Sequence, residues 1–381
     1  SRGYSYLVTP LLESLETVST GLTTQQQRQL FKLIDRDGAI LALVGERTVS
    51  VARVAAGKLH SQALPLRLCY SGPVFRWDCG PLSAQREFYQ VGAELIGAGG
   101  EVADAEVIAA AAGCLSALGL TDYQLEIGHA EFLLGVLAGL EVSAAVRLEL
   151  RQALARRDLV AVEEVLATTP LRTADQELLL RFPALRGGEE ILSVAGALAN
   201  SDRAERALAE LAEVYRLLRI HGLGEVVNID LGAIRDFDYY TGITFEVYGE
   251  QPSRRLAMGG RYDQLMGRLG RPAASTGLVI NLDLVYESLR LAGLDSRPSP
   301  LDVDLAWDQA GLESALRLAA RLRAAGRQVL MEHQPSEAAG GLSWTSDPPA
   351  LQRLYVTGGD SIQRCDRSGG LISIQEEELW P

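Results

Sequence analysis

The sequence predicts an α+β fold, because short strand-like runs come first, a long block of helical pattern follows, and strands return afterwards. Two helix-end signals support the middle block. Ser201 is placed to cap a helix running to Ile220, and Gly222 lies just past its end. Within that helix Leu208, Leu211, Val214, Leu217 and Leu218 recur at helical spacing, giving one apolar face.

In chain order, runs 41–44, 66–70 and 89–95 read as strands bounded by turn residues. The stretch 102–222 reads almost entirely as helix; its first member, 104–118, is alanine-rich and stops at Gly119. Strands resume at 226–231, 243–248 and 278–282. Prolines at 298 and 300 predict a stiff linker. Beyond it, 303–307, 312–325 and 329–332 form a strand-helix-strand pattern. Residues 336–349 read as a loop, with two further strands expected at 354–357 and 371–374. The chain shows no internal repeat.

Composition narrows the function. With 47% hydrophobic and 22% charged residues, the 381-residue chain has the balance of an ordinary globular protein. No apolar run approaches the roughly 18 residues that a membrane helix needs. Ser1 to Tyr6 lacks the basic-then-apolar layout of a signal peptide, so a cytoplasmic location is expected. Cys69, Cys79, Cys114 and Cys365 are scattered and no Cys/His cluster has ligand spacing, so no metal is expected. A net charge of −13 repels a phosphate backbone at long range. The tail from Leu301 carries seven arginines, no lysine and twelve acidic residues, which argues against an RNA-gripping surface there.

Four clusters carry chemistry. Tyr4-Ser-Tyr-Leu-Val-Thr-Pro-Leu-Leu-Glu13, taken alone, reads as a strand and a helix start. Gly72-Pro-Val-Phe-Arg76 is followed by Arg86-Glu-Phe-Tyr-Gln90-Val-Gly92-Ala-Glu94. Positions 90, 92 and 94 share one strand face, and Gly92 would leave room for a ligand between two polar side chains. The third cluster is Arg235-Asp-Phe-Asp238-Tyr239-Tyr240-Thr-Gly242. The fourth is Gly259-Gly-Arg261-Tyr262-Asp263, whose glycines alone suggest a tight turn.

Together, from about Gly3 to Leu289, these clusters resemble the histidyl-tRNA synthetase family, a class II synthetase. The Phe-Arg…Arg-Glu-Phe…Gln-x-Gly-x-Glu run resembles class II motif 2. Asp238-Tyr-Tyr-Thr-Gly and Gly259-Gly-Arg-Tyr-Asp resemble that family's two histidine-pocket signatures. The resemblance implies a class II aminoacyl-tRNA synthetase-like antiparallel sheet flanked by helices over residues 1–298, with a helical insertion at about 129–222. It further implies a small α/β C-terminal domain at 301–381, similar to a shortened anticodon-binding domain. By the same resemblance, Glu46 would pair with the α-ammonium of histidine, and Arg235 and Gln90 would hold its carboxylate. Glu94, Tyr240 and Tyr262 would face the imidazole, with Arg76 and Tyr239 completing the site.

Departures gather on the nucleotide side. The strand 277–284 reads Gly-Leu-Val-Ile-Asn-Leu-Asp-Leu, where the family has Gly-x-Glu-Arg, so Leu284 replaces a phosphate-binding arginine. Ala84 replaces a second one. Losing both should cost adenylate chemistry several orders of magnitude, because that catalysis is mostly electrostatic positioning. The pattern, with Leu180-Arg-Phe-Pro-Ala-Leu-Arg-Gly-Gly188 and Asp230-Leu-Gly232, resembles the synthetase-derived regulatory subunits of ATP phosphoribosyltransferase. That resemblance implies a non-catalytic, histidine-sensing subunit without a cofactor. It implies a homodimer joined to the short-form ATP phosphoribosyltransferase catalytic subunit in a hetero-octamer or larger assembly, without tRNA. An active histidyl-tRNA synthetase, or another histidine-binding accessory protein, is the alternative.

Overall fold

A computed structural model describes residues 2–20, 22–77, 85–232, 240–249, 255–294, 302–333, 352–357, 361–365 and 371–379. The chain divides into two compact units, Ser1–Leu294 and Asp295–Pro381. In the first unit the strands are β1 (Ser5–Tyr6), β2 (Leu12–Ser14), β3 (Lys32–Ile34), β4 (Ile40–Leu43), β5 (Leu66–Phe75) and β6 (Glu87–Ile96). They continue as β7 (Tyr123–His129), β8 (Arg186–Gly187), β9 (Val227–Asp230), β10 (Ile243–Gly249), β11 (Arg255–Arg261) and β12 (Ser275–Asn281).

Nine of the described strands form one sheet in the order β1-β5-β6-β12-β11-β10-β7-β9-β8. Its middle, from β5 to β7, is antiparallel throughout. Parallel neighbours, β1 on β5 and β9 on β7, extend it on either side. This is the class II synthetase-like architecture that the motifs imply. β2, β4 and β3 form a separate small sheet.

Two features differ from the sequence reading. β7 interrupts the stretch read as helix, since its apolar alternation (Leu125, Ile127) is short and flanked by long helices. The Gly259-Gly260 pair lies inside β11 rather than in a turn. A Cβ on Gly259 would sit 2.7 Å from the Phe245 ring, and one on Gly260 would sit 2.5 Å from the Ile243 carbonyl oxygen. Crowding against β10 therefore demands glycine at both positions.

Helices Glu101–Ala117 and Asp202–Ile220 form one packed layer with the sheet. Leu115, Leu125, Phe132, Leu211, Val214 and Phe245 are among its buried core side chains. Ser201 caps the second helix by accepting from the Ala204 amide (3.2 Å), and Gly222 has positive φ, as the end signals require. Helices Ala130–Ala138, Ala144–Ala155, Leu159–Thr168 and Thr173–Arg181 follow β7. The segments 180–188 and 230–232, noted separately in the sequence, meet here. The Leu231 amide donates to the Leu185 carbonyl (3.0 Å), and a Cβ on Gly232 would lie 3.0 Å from the Phe182 carbonyl oxygen. Among the described residues no helix is long and apolar enough to cross a membrane.

In the second unit β13 (Val303–Trp307) lies parallel to β14 (Val329–His333) and β15 (Gln352–Thr357). β16 (Ser361–Cys365) and β17 (Leu371–Ile374) continue the sheet antiparallel. Helix Leu312–Ala324 buries Ala315, Leu318, Ala319 and Leu322 among its apolar residues. The linker expected around 298–300 and the loop expected at 336–349 fall outside the described residues.

One ion pair ties the large sheet to its helical cover. Arg261, last residue of β11, donates from Nε and Nη2 to the two oxygens of Asp104 (3.0 and 2.9 Å), and both side chains are buried. Arg261 also reaches the Gly100 carbonyl (3.1 Å), so the strand end that precedes Tyr262 is anchored to the helix 101–117. Removing one partner leaves a buried charge uncompensated, which costs about 3–5 kcal/mol. Asp104→Ala should therefore lower the unfolding free energy of the first unit by about that amount, measured by denaturant titration.

Candidate functional site

The alternation of β6 sets Gln90, Gly92 and Glu94 on one face of the sheet. They lie opposite Asn281, Val279 and Gly277 of β12. Gly277 in turn pairs with Gly260 of β11. Three glycines, 259, 260 and 277, thus make a low floor at the centre of the sheet. Over it opens a small, partly open pocket. Glu46, Thr48, Arg76, Gln90, Tyr240 and Tyr262 line its polar walls. Five residues singled out from the sequence, Glu46, Arg76, Gln90, Tyr240 and Tyr262, therefore converge. Arg235 and Tyr239 lie outside the described residues.

Glu94 stands behind this lining and is wholly buried. Its Oε1 accepts from Thr48 Oγ1 (2.7 Å) and Tyr70 OH (3.3 Å), and its Oε2 accepts from Tyr262 OH. Burial raises its pKa to about 8 although these hydroxyl donors favour the charged form. At neutral pH Glu94 is therefore held largely as a neutral acid. Glu46 is half-buried at the start of helix Arg47–Ala56, where its carboxylate accepts from the amides of Thr48 (2.7 Å) and Val49 (3.3 Å). Burial pushes its pKa up as well. Gln90 Oε1 is buried and has no hydrogen-bond partner among the described residues.

Thr48 and Tyr70 were not read from the sequence. Neither stands in a recognisable motif, and only the register of β5 against β6 sets Tyr70 beside Gly92. The space at Gly92 is correspondingly not open to a ligand: a Cβ there would overlap the Tyr70 ring. In the fourth cluster, neighbouring residues serve different ends. Tyr262 turns to Glu94, while Arg261 and Asp263 hold the scaffold, Asp263 Oδ1 accepting from the Ser275 amide at 2.8 Å. Glu13 and Thr9 of the first cluster are also structural, bound to Arg53 Nε (2.6 Å) and Arg47 Nη1 (2.8 Å).

The junction after β12, where the family resemblance places nucleotide contacts, is built differently. Asn281 caps helix Leu282–Leu291, its Oδ1 accepting from the amides of Asp283 (3.1 Å) and Leu284 (3.2 Å). Uncapped amides at a helix N-terminus are available to an anion, and here the side chain takes them. Asp283 Oδ2 accepts from the Tyr89 amide (2.8 Å), adding negative charge there. Leu284 packs against the main apolar core. Arg86 lies over the Trp77 ring at 4.0 Å; Ala84 falls outside the described residues. Among the described residues no group of three or more His, Cys, Asp or Glu side chains could hold a metal ion.

The titration of Glu94 has a measurable consequence. Its folded pKa, about 8, lies above the ordinary 4.5, so folding favours the protonated form. That contribution is complete below about pH 4.5 and is lost as pH rises through about 8. Between pH 5 and 8 the wild-type unfolding free energy should fall relative to Glu94→Gln, by at most about 1.4 kcal/mol per pH unit. Denaturant melts at a series of pH values check this.

Comparison with known proteins agrees with the geometry. A family model described as histidyl-tRNA synthetase matches residues 1–285. The ATP phosphoribosyltransferase regulatory subunit of Moorella thermoacetica is 38% identical over 332 residues, covering 87% of this chain and 84% of the relative. That of Geobacillus thermodenitrificans is 37% identical over 334 residues, covering 87% and 83%. A solved Bacillus halodurans structure, described as an ATP phosphoribosyltransferase regulatory subunit/histidyl-tRNA synthetase, superposes with a TM-score of 0.81. It is 32% identical and covers 93% of this chain and 90% of that one. Histidyl-tRNA synthetase from Nostoc, 21% identical, matches in fold with a TM-score of 0.78 over 99% of this chain and 91% of its own. The chain belongs to the family of ATP phosphoribosyltransferase regulatory subunits, which is built on the histidyl-tRNA synthetase fold.

Proposed function

We propose that this chain is the non-catalytic partner of a short-form ATP phosphoribosyltransferase, activating it and conveying feedback inhibition by histidine bound in the sheet pocket. One observation carries the reading. The pocket gathers the Glu46 carboxyl, the Gln90 amide and two tyrosines, with the Glu94 carboxyl bonded to Tyr262 behind them, while Asn281 caps the following helix, whose Leu284 packs against the core in place of a cation. An amino-acid zwitterion needs both an anion and a donor, and an imidazole needs a donor or acceptor at its far end. Glu46 supplies the anion, Gln90 and Arg76 the donors, and Glu94 with Tyr262 the far end. Arg235 and Tyr239 join the site by family resemblance.

Feedback requires that histidine favour one of two assembly states, and a coupling of about 1–3 kcal/mol suffices. The small sheet supports a homodimeric core. Leu12, Leu33, Ile34 and Ile40 expose apolar side chains there, Ile34 at 81%, and apolar surface gathered in that way marks an interface. Net charge −13 argues against tRNA as a partner.

Reconstitution tests the function. Adding this chain to a short-form catalytic subunit should raise phosphoribosyl transfer to ATP, and histidine should suppress the gain. Gln90→Ala loses one hydrogen bond to a charged ligand, worth about 1.5–3 kcal/mol. Calorimetry should show histidine affinity reduced at least tenfold, and the inhibition curve should move by the same factor. No stimulation of any short-form partner would overturn the proposal.

The absence of a cation at position 284 makes a second expectation. Histidine-dependent ATP–pyrophosphate exchange should stay at background even at millimolar ATP, and exchange at synthetase-like rates would refute the regulatory reading.

A further inference from the structure

We propose that Arg47 selects the charge of the ligand: its buried guanidinium, bonded to neutral groups alone, sets a positive potential behind Gln90 that favours an amino acid with a free carboxylate. This rests on the reading of the pocket as an amino-acid site, and Arg47 acts on that site from behind its lining, without touching the ligand.

Arg47 stands in the chain between two pocket residues, Glu46 and Thr48, but its side chain turns elsewhere. It is 3% exposed. Nη1 donates to Thr9 Oγ1 (2.8 Å) and Nη2 to the Pro73 carbonyl (2.9 Å), while Nε is buried without a partner. Both acceptors are neutral. The neighbouring acids are engaged otherwise. Glu46 accepts from the amides of Thr48 and Val49, and Glu13 is paired with Arg53. Burial lowers the pKa of Arg47, but an arginine starts so high that its charge persists at neutral pH. A buried cation with no bonded counter-charge is costly, and its field is left to act on whatever binds nearby.

Register says where that field falls. Gly72 of β5 lies opposite Gln90 of β6, and residues so paired present their side chains on one face. Arg47 fills the space a side chain at Gly72 would take: a Cβ there would lie 2.4 Å from Nη2 and 2.8 Å from Cζ. Opposed Cβ atoms stand about 4.5–5.5 Å apart, so the guanidinium comes within about 8 Å of the Gln90 Cβ.

Gln90 lines the pocket, and its Oε1 is buried without a partner. Beside a fixed positive charge an amide dipole settles with its oxygen toward the charge and its NH2 group away, toward the pocket. Arg47 thus acts twice. It holds the Gln90 amide as a donor, and its own charge attracts the carboxylate that the amino-acid reading sets at Gln90. At about 10 Å and an effective dielectric constant of about 20, two unit charges attract strongly enough for about tenfold in affinity. A ligand with a neutral amide in place of the carboxylate gains nothing from this field, which repels its ammonium group.

Calorimetry on the full chain with L-histidine and L-histidinamide tests the assignment, because the probes differ only at the carboxylate. Wild type should prefer histidine by about a hundredfold, the worth of a charged hydrogen bond with the added field. Arg47→Gln removes the charge but keeps a polar group for Thr9 and Pro73, and Arg47→Met removes it but keeps the buried stem. Both should narrow the ratio about tenfold, chiefly through weaker binding of histidine, and two differently built variants guard against one that fails to fold. Arg47→Lys keeps the charge and should hold the ratio within about threefold. An unchanged ratio in the neutral variants, or an equal loss in Arg47→Lys, would mean that Arg47 only shapes the wall and would overturn the assignment. Failure of wild type to bind histidine would instead remove the amino-acid reading of the pocket, and this proposal with it.

Discussion

A carboxyl group with no access to water stands at the centre of this molecule. Leaving an ionised Glu94 buried and unpaired would cost many kcal/mol, so the protein must either satisfy the group or neutralise it. It does both. Thr48, Tyr70 and Tyr262 bring hydroxyls from three different elements, and burial still holds the group largely protonated at neutral pH. Helix Arg47–Ala56, β5 and the segment leaving β11 are therefore aligned on one atom group. The glycines at 92 and 277 exist so that this convergence fits.

The surrounding scaffold is organised to keep that alignment. Arg261 precedes Tyr262 and is clamped to Asp104 of the covering helix, so the tyrosine enters the pocket from a fixed backbone. Glu46 and Asn281 cap two helices that begin at the pocket's edges, but to opposite effect. Glu46 presents a carboxylate toward the pocket while capping. Asn281 occupies amides that could have received a phosphate. The same local device, a side chain satisfying a helix N-terminus, leaves a carboxyl at the pocket wall in one case and occupies the helix amides in the other.

Similarity to synthetases and to regulatory subunits then has a physical content. The fold is shared with both. In this chain the helix after β12 carries Leu284, partly buried against the core, and a leucine there offers neither charge nor donor to a phosphate.

The sequence by itself determined the α+β class, the caps and ends of the long helices, and the alternation that sets Gln90 and Glu94 on one face. These are local matters, governed by periodicity, capping side chains and glycine, and each is complete within a few residues. Family motifs added Glu46, Arg76, Tyr240 and Tyr262, and the fold brings all four to one pocket. Tertiary structure alone decided the rest. β7 was hidden between long helices, and the glycine pair of β11 looked like a turn until β10 lay against it. Gly92 gave no sign that a tyrosine 22 positions earlier would fill its space, because that contact depends on how β5 registers against β6. Thr48 and Tyr70 stand in no motif; their roles arise only where distant segments close around a single carboxyl group. No local pattern in a chain records which hydroxyls a fold will aim at one buried acid.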